Sequence, residues 1–187
     1  VDQYQYAAKL LKKYEGFNRT AVWDVNAYRI GYGSDTITNN NGQYRKVVKG
    51  DQTTEQLALK DLQRRVKEFE KKLIRQVGAE FWDPLHYEVK AALISLAYNY
   101  GGLIPSLTQT IEAIKTGNNK TIAKTILEET KNHNKKLSQS VRNALYKRRQ
   151  KEAAIIAAAP ETKKGINKKL LVIPIVIGII YYLNKRT

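Results

Sequence analysis

The chain has 187 residues, 42% hydrophobic and 27% charged, enough for one domain of about 150 residues with a packed core and a short appendage. It contains no cysteine, which excludes a disulfide framework, a thiol nucleophile and thiolate metal ligands and leaves stability to packing. The formal net charge is +16, and only part of it lies at the end, where Lys163, Lys164, Lys168, Lys169, Lys185 and Arg186 outweigh Glu161. The folded part is therefore basic and is expected to attract polyanions: nucleic acid, anionic lipid or the acidic polymers of a bacterial wall.

The first residues, Val1-Asp2-Gln3-Tyr4, have neither a basic n-region nor an apolar h-region, so no N-terminal signal peptide is expected. Residues 4–14 carry Tyr6, Ala7, Leu10, Leu11 and Tyr14 at helical spacing, and the predicted helix delivers Glu15 at its end. From Gly16 to about Tyr44, glycines and an Asn39-Asn40-Asn41 run punctuate short β-prone pieces such as residues 28–32, which predicts a small hairpin or three-stranded sheet. Thr53 with Gln56 reads as a capping box. The long helix after it has a stripe of Ala58, Leu62, Val66, Phe69, Leu73 and Val77, and its charges are expected on the solvated face. Asp83-Pro84 reads as the start of a core helix, apolar nearly all round over residues 89–98 and ended by Gly101-Gly102. Further helices are predicted over residues 107–116, 121–130 and 138–158, with breaks at residues 117–119 and 132–134. The layout is α+β and mainly helical, with a small β-lobe and a helical lobe joined by one long helix.

The tail differs in kind. The expected domain covers residues 1–159; residues 160–169 read as a polar linker, and residues 170–183 are apolar without interruption between basic flanks. Fourteen residues fall short of the about 20 that cross a bilayer core, but the stretch from Asn167 to Arg186 is long enough if the flanking Lys and Arg snorkel. Tyr181 and Tyr182 sit where an interfacial aromatic belt would, and Pro174 and Gly178 are tolerated in a membrane helix. The expectation is a C-terminal transmembrane anchor and a lipid membrane as a partner.

The stretch from Tyr14 to Thr36 puts one carboxyl, Glu15, at a helix end and a second, Asp24, in a loop. Glycosidic cleavage needs a proton donor, commonly in apolar surroundings, and often a second carboxylate that steers a water or stabilises an oxocarbenium-like transition state. Glu15 between Tyr14 and Phe17 suits the first role and Asp24 the second. Two acids at this spacing are in most chains solvated surface carboxylates, so the neighbouring residues must decide.

Those neighbours resemble the phage lysozymes of glycoside hydrolase family 24. Glu15-Gly16, Asp24 and Ile30-Gly31-Tyr32-Gly33 match the family's E-G pair, its aspartate and its T-I-G-Y-G-H-T type strand and turn. Lys49-Gly50-Asp51-Gln52-Thr53 with Ala58, Asp61 and Leu62 is similar to the start of its interlobe helix. Residues 92–101 resemble its A-L-x-S-x-x-x-N-x-G core helix, and Leu145 with Arg148-Arg149 and Glu152 resembles its closing G-L-x-x-R-R-x-x-E. The resemblance runs over roughly residues 4–155. It implies the phage lysozyme-like two-lobe fold and hydrolysis of the β-1,4 bond between N-acetylmuramic acid and N-acetylglucosamine, with Glu15 as general acid and Asp24 opposite.

The chain departs from the pattern beside the chemistry. Arg29 stands where the family has a water-holding threonine, Ser34 replaces the histidine, and Asp35 is inserted before Thr36. Ser34 or Thr36 is a candidate replacement hydroxyl, and Arg29 is a candidate partner of Glu15 or Asp24. An acid without a water-positioning partner can still protonate the leaving oxygen while the sugar's own 6-hydroxyl attacks, so a lytic transglycosylase is the alternative. Tyr32 and Asn99 are candidate substrate contacts, Asn99 having a helix C-cap as its other reading. Arg148 and Arg149 are open to bracing the catalytic helix through Glu15 or Glu152, or to a plain surface pair.

His86 and His133 stand far apart and outside any H-E-x-x-H pattern, so no metal and no cofactor is expected. The basic residues alternate with acids along helices, so no specific nucleic acid is expected either. The expected setting is a virion membrane, or a host inner membrane with the enzyme facing the periplasm. A non-catalytic virion membrane protein with a degenerate lysozyme fold is the rival from another class.

Overall fold

The computed structural model describes residues 2–24, 26–100, 107–133 and 137–161. The predicted anchor at residues 170–183, most of the linker and Gly101-Gly102 lie outside the described residues. Among the described residues no helix is long and apolar enough to cross a membrane.

Helix α1 spans Gln3–Glu15, and the Asp2 carboxylate caps it by accepting from the Gln5 amide. Two strand pairs follow. β1 (Asn18–Asp24) runs antiparallel to β2 (Ala27–Gly31), with Asp24 opposite Ala27 at the tip, and β3 (Thr36–Thr38) pairs with β4 (Tyr44–Lys46). In place of the expected small hairpin or three-stranded sheet there are two separate hairpins. The reason lies at their junction, where Gly31 and Gly33 both take positive φ and Ile30 and Ser34 exchange backbone hydrogen bonds, turning the chain away from β2 before β3 begins. A Cβ on Gly31 would stand 2.8 Å from that of Ala58, so only glycine lets this turn lie against the long helix.

That helix, α2 (Glu55–Val77), is the spine between the lobes. Its six-residue apolar stripe is buried as predicted. The cap is one residue later than expected: Thr54 accepts from the Leu57 amide, while the Thr53 amide donates to Arg19 O, because an isolated bridge between β1 and Gln52 draws Thr53 into the sheet side. The charges are not all solvated. Asp61 and Glu70 are buried, each with a full set of donors: Ser34, Thr36, Thr38 and Arg64 around Asp61, and Gln3, Tyr4 and Trp82 around Glu70. Its hydrogen bond to Glu70, with burial, pushes the Tyr4 phenol up to about 12.

Gly78 ends α2 and a single turn, α3 (Ala79–Trp82), buries Trp82. Pro84 therefore lies in a turn and not in a helix: the Trp82 indole is held by Glu70, Leu85 N donates to Trp82 O, and α4 begins only at Tyr87. α4 (Tyr87–Asn99) is the central helix, with α1, α2 and α7 packed on it and residues from Val89 to Tyr98 making the middle of the core. α5 (Thr108–Lys115), α6 (Asn119–His133) and α7 (Gln139–Ala158) complete the helical lobe. α6 is longer than predicted at both ends. Its first residue, Asn119, is buried and donates to Ala159 O and Pro160 O, which pins the end of α7. The buried Glu129 carboxylate accepts from Gln109 N, Thr110 N and Thr110 Oγ1 and so caps α5 across the chain.

In the β-lobe, the Asp51 carboxylate takes two bonds from Arg45, each 2.7 Å, and one from Val48 N, which hold it below the usual carboxylate range. A depressed folded value stabilises the fold above the unfolded pKa of about 4 and loses that contribution as the pH falls through the folded value. Urea unfolding should show the stability gap between the wild type and Asp51→Asn shrinking as the pH is lowered from about 5 to about 2.

Candidate active site

Glu15 is the last residue of α1 because Gly16 takes φ 67 and ψ −178, a region essentially confined to glycine. The helix stops there, and Phe17 turns onto Tyr32, ring centroids 5.6 Å apart. The E-G pair is thus a backbone device that leaves a carboxyl at a helix end.

Three elements converge on that carboxyl. From α7, Arg148 Nη1 donates to Glu15 Oε1 at 2.7 Å, while its Nε and Nη2 reach Glu152 Oε1 and Ser95 O at 3.3 Å each. The Arg148 guanidinium lies 4.8 Å from the Tyr14 ring centroid. From the β-lobe, Gly33 comes so close that a Cβ there would stand 2.9 Å from Glu15 Oε2. From α4, the buried Tyr98 hydroxyl donates to Tyr32 O at 2.8 Å and fixes the turn that carries Gly33. One carboxylate oxygen is thus anchored by a guanidinium, and the other lies against a residue with no side chain.

Behind Arg148 stands a fully buried cluster. Glu152 accepts from Ser95 Oγ at 2.7 Å and from Arg149 Nη2 at 3.1 Å, and burial raises its carboxyl while lowering Arg149. Each charge has an opposite charge within reach, which is the condition for burying either. Of the two readings of Arg148 and Arg149, the structure has the brace.

The other sequence candidates separate into two groups. Asp24 lies at the exposed hairpin tip with Arg29 Nε 3.9 Å away, and Arg29 Nη1 stands 3.8 Å from Asp35, which also forms an ion pair with Arg65 at 2.9 Å. Of its two candidate partners Arg29 therefore pairs with Asp24, and it links Asp24 to the inserted Asp35. Ser34 and Thr36 do not join Glu15; both hydroxyls donate to the buried Asp61, at 2.6 and 3.1 Å, and Thr36 also receives Arg64. Tyr32 is buried, with its hydroxyl on Glu55 Oε1 at 2.8 Å. Asn99 is the half-buried final residue of α4. His86 precedes α4 with Nδ1 3.6 Å from Glu88, and no metal-binding group of acids and histidines occurs among the described residues.

Sequence reasoning missed Ser95, Tyr98 and Arg65, whose partners lie 57, 66 and 30 positions away, and it left Trp23 without a role. Trp23 is 59% exposed beside Asp24 and packs edge-on against Tyr28 at 5.1 Å.

A carboxyl fixed at a helix end beside a small β-lobe that carries a second, exposed carboxyl is in keeping with a glycosidase of the lysozyme type. The chain belongs to the phage lysozyme family, whose model matches residues 12–152. It is similar in fold to an endolysin from Escherichia coli O157:H7 phage FAHEc1, with 23% identity, a TM-score of 0.63, and 85% of this chain and 95% of that one covered. A mutant of P22 lysozyme follows at 20% identity and a TM-score of 0.61, covering 80% of this chain and 94% of the other. The muramidase domain of SpmX from Asticaccaulis excentricus gives 19% identity and a TM-score of 0.50 over 82% of this chain and 95% of that domain. None of the curated proteins matches the chain by sequence.

Replacing Arg148 by Ala should cut kcat about 100-fold with a smaller change in KM, because the Glu15 carboxyl loses its anchor. Arg148→Lys, which keeps the charge but cannot span Glu15, Ser95 and Glu152 together, should recover only part of it. Steady-state kinetics on purified peptidoglycan would check both, and an unchanged kcat in Arg148→Ala would remove the positioning role.

Proposed function

We propose that this peptidoglycan-cleaving glycosidase cuts the β-1,4 bond between N-acetylmuramic acid and N-acetylglucosamine with Glu15 as its proton donor. The observation that carries the assignment is the asymmetric hold on Glu15: Oε1 is fixed by Arg148, and Oε2 lies against Gly33. A carboxyl held in one rotamer delivers its proton along one direction, which lowers the entropic part of the barrier to leaving-group departure. Asp24 is the carboxylate that faces the developing oxocarbenium charge, in keeping with the glycoside hydrolase family 24 pattern. The exposed indole of Trp23 beside it offers a flat apolar face to a sugar ring.

A second reading is supported by one observation. The two hydroxyls that would replace the family's threonine, on Ser34 and Thr36, are both committed to Asp61. With those two hydroxyls committed and not holding a water, the enzyme would leave the attack to the sugar's 6-hydroxyl. Product chemistry separates the two: hydrolysis adds a water and leaves reducing ends, whereas transglycosylation leaves 1,6-anhydro ends lighter by one water.

The apolar residues 170–183 would hold the enzyme to a virion membrane or to the host inner membrane, facing the wall that it opens during penetration or lysis. Their length with basic flanks and the paired Tyr181-Tyr182 support this reading.

Mass spectrometry of released muropeptides should find reducing ends, and Glu15→Gln should lower the release about 1000-fold or more. Undiminished release by Glu15→Gln would end the assignment of the acid, and anhydro ends would establish the transglycosylase. Trp23→Ala should raise KM by roughly 3- to 10-fold with little effect on kcat, the signature of lost sugar stacking in both ground and transition states.

A further inference from the structure

α1 and α7 both pack on α4, and a surface groove runs between them. Its rims are lysines: Lys9 and Lys13, one turn apart on α1, and Lys151 on α7, all exposed. Its floor is apolar and aromatic, from Leu10, Tyr6 and Tyr14 on one side and Ile155 on the other, all half-buried. Among the described residues no acid lines it.

We propose that this groove is a docking surface for anionic lipid, with the phosphate headgroups on the lysines and the glycerol and upper acyl region on the floor. Lysines on flexible stems ringing an apolar strip with tyrosines at its margin match the layered polarity of a bilayer interface. A phosphodiester wall polymer would satisfy the lysines but has nothing to bury against Leu10 and Ile155, so lipid is the better fit. The chain's course points the same way: Ile155 is three residues before the end of α7, and the apolar stretch follows after a ten-residue linker spanning at most about 35 Å. α7 therefore ends beside the groove, and Tyr14, which stacks with the Arg148 that holds Glu15, lies in it as well. A domain lying on lipid by this face would keep the Glu15 site within one short helix end of the membrane surface.

The proposal goes beyond the anchor reading, and vesicle partition of the full chain separates the two. Binding to pure phosphatidylcholine vesicles measures the apolar tail, and because the basic flanks of the tail also favour anionic lipid, the groove is measured by the part of the extra binding to phosphatidylglycerol vesicles that reversal of its own lysines removes. The wild type should partition at least about 50-fold more strongly to the anionic vesicles, from roughly fivefold per lysine, with the gain falling as salt is added. A K9E/K13E/K151E protein should lose at least about tenfold of that ratio, while K46E/K49E/K60E, an equal charge reversal at exposed lysines elsewhere, should lose less than about threefold. Circular dichroism and turnover of detached glycan fragments should be unchanged in both variants. Equal losses in the two variants would reduce the effect to net charge and overturn the proposal. So would a wild-type ratio near one, or competition by soluble teichoic acid as effective as that by vesicles at equal phosphate. Loss of phosphatidylcholine binding with the anionic gain retained would remove the anchor and leave the groove standing.

Discussion

The position of the Arg148 guanidinium is the constraint on which the rest of the site depends. It holds the acid at the end of α1, meets the backbone and hydroxyl of Ser95 on α4, and is itself held by Glu152 one helical turn further along α7. A guanidinium that serves three partners has one orientation, so three helices converge at one point. The cost is a buried cluster in which Arg149 and Glu152 are both fully enclosed. Such a cluster adds little net stability over an apolar replacement but penalises any packing that would part its members. Here it fixes where the Glu15 carboxyl stands.

The β-lobe is brought to that point by a second polar interior. Asp61 on α2 gathers the hydroxyls of Ser34, Thr36 and Thr38, so the strand that follows the Gly31–Gly33 turn is tied to the spine and cannot slide along it. Tyr98 closes the arrangement from α4, and burial pushes its phenol above the ordinary range, so it remains a hydrogen-bond donor to Tyr32 O. The same network explains why the departures from the family pattern cluster here. Ser34 and Thr36 are bonded to Asp61, and Arg29 pairs with Asp24 and Asp35, so the residues that depart from the pattern are tied into the β-lobe itself.

Much of the fold was legible because it is written in local periodicity. The α2 stripe, the all-round apolar α4 and the Glu15-Gly16 helix end follow from spacing and from one glycine's conformational freedom, and each stands where the residues put it. Thr53 lost the cap to Thr54 because β1 claims its amide, Pro84 lost a helix start because Trp82 is drawn to Glu70, and one sheet became two because two glycines redirect the chain. In the first two cases a partner distant in the chain outweighed a local preference, and in the third the glycine turn itself broke the sheet.

By itself the sequence determined the class of fold, the family, and the placing of the Glu15 carboxyl at a helix end, since these rest on short-range patterns that a helix end and a glycine turn enforce locally. The tertiary structure alone decided what surrounds that acid. Whether Arg148 is a brace or a surface ion, whether Ser34 and Thr36 face substrate or Asp61, and which acid Arg29 serves depend on contacts across 133, 27 and 5 positions of the chain. The physical reason is that a charged or hydroxylated side chain has no fixed role until its burial and partners are set. Those are properties of packing between elements, which no spacing within one element encodes.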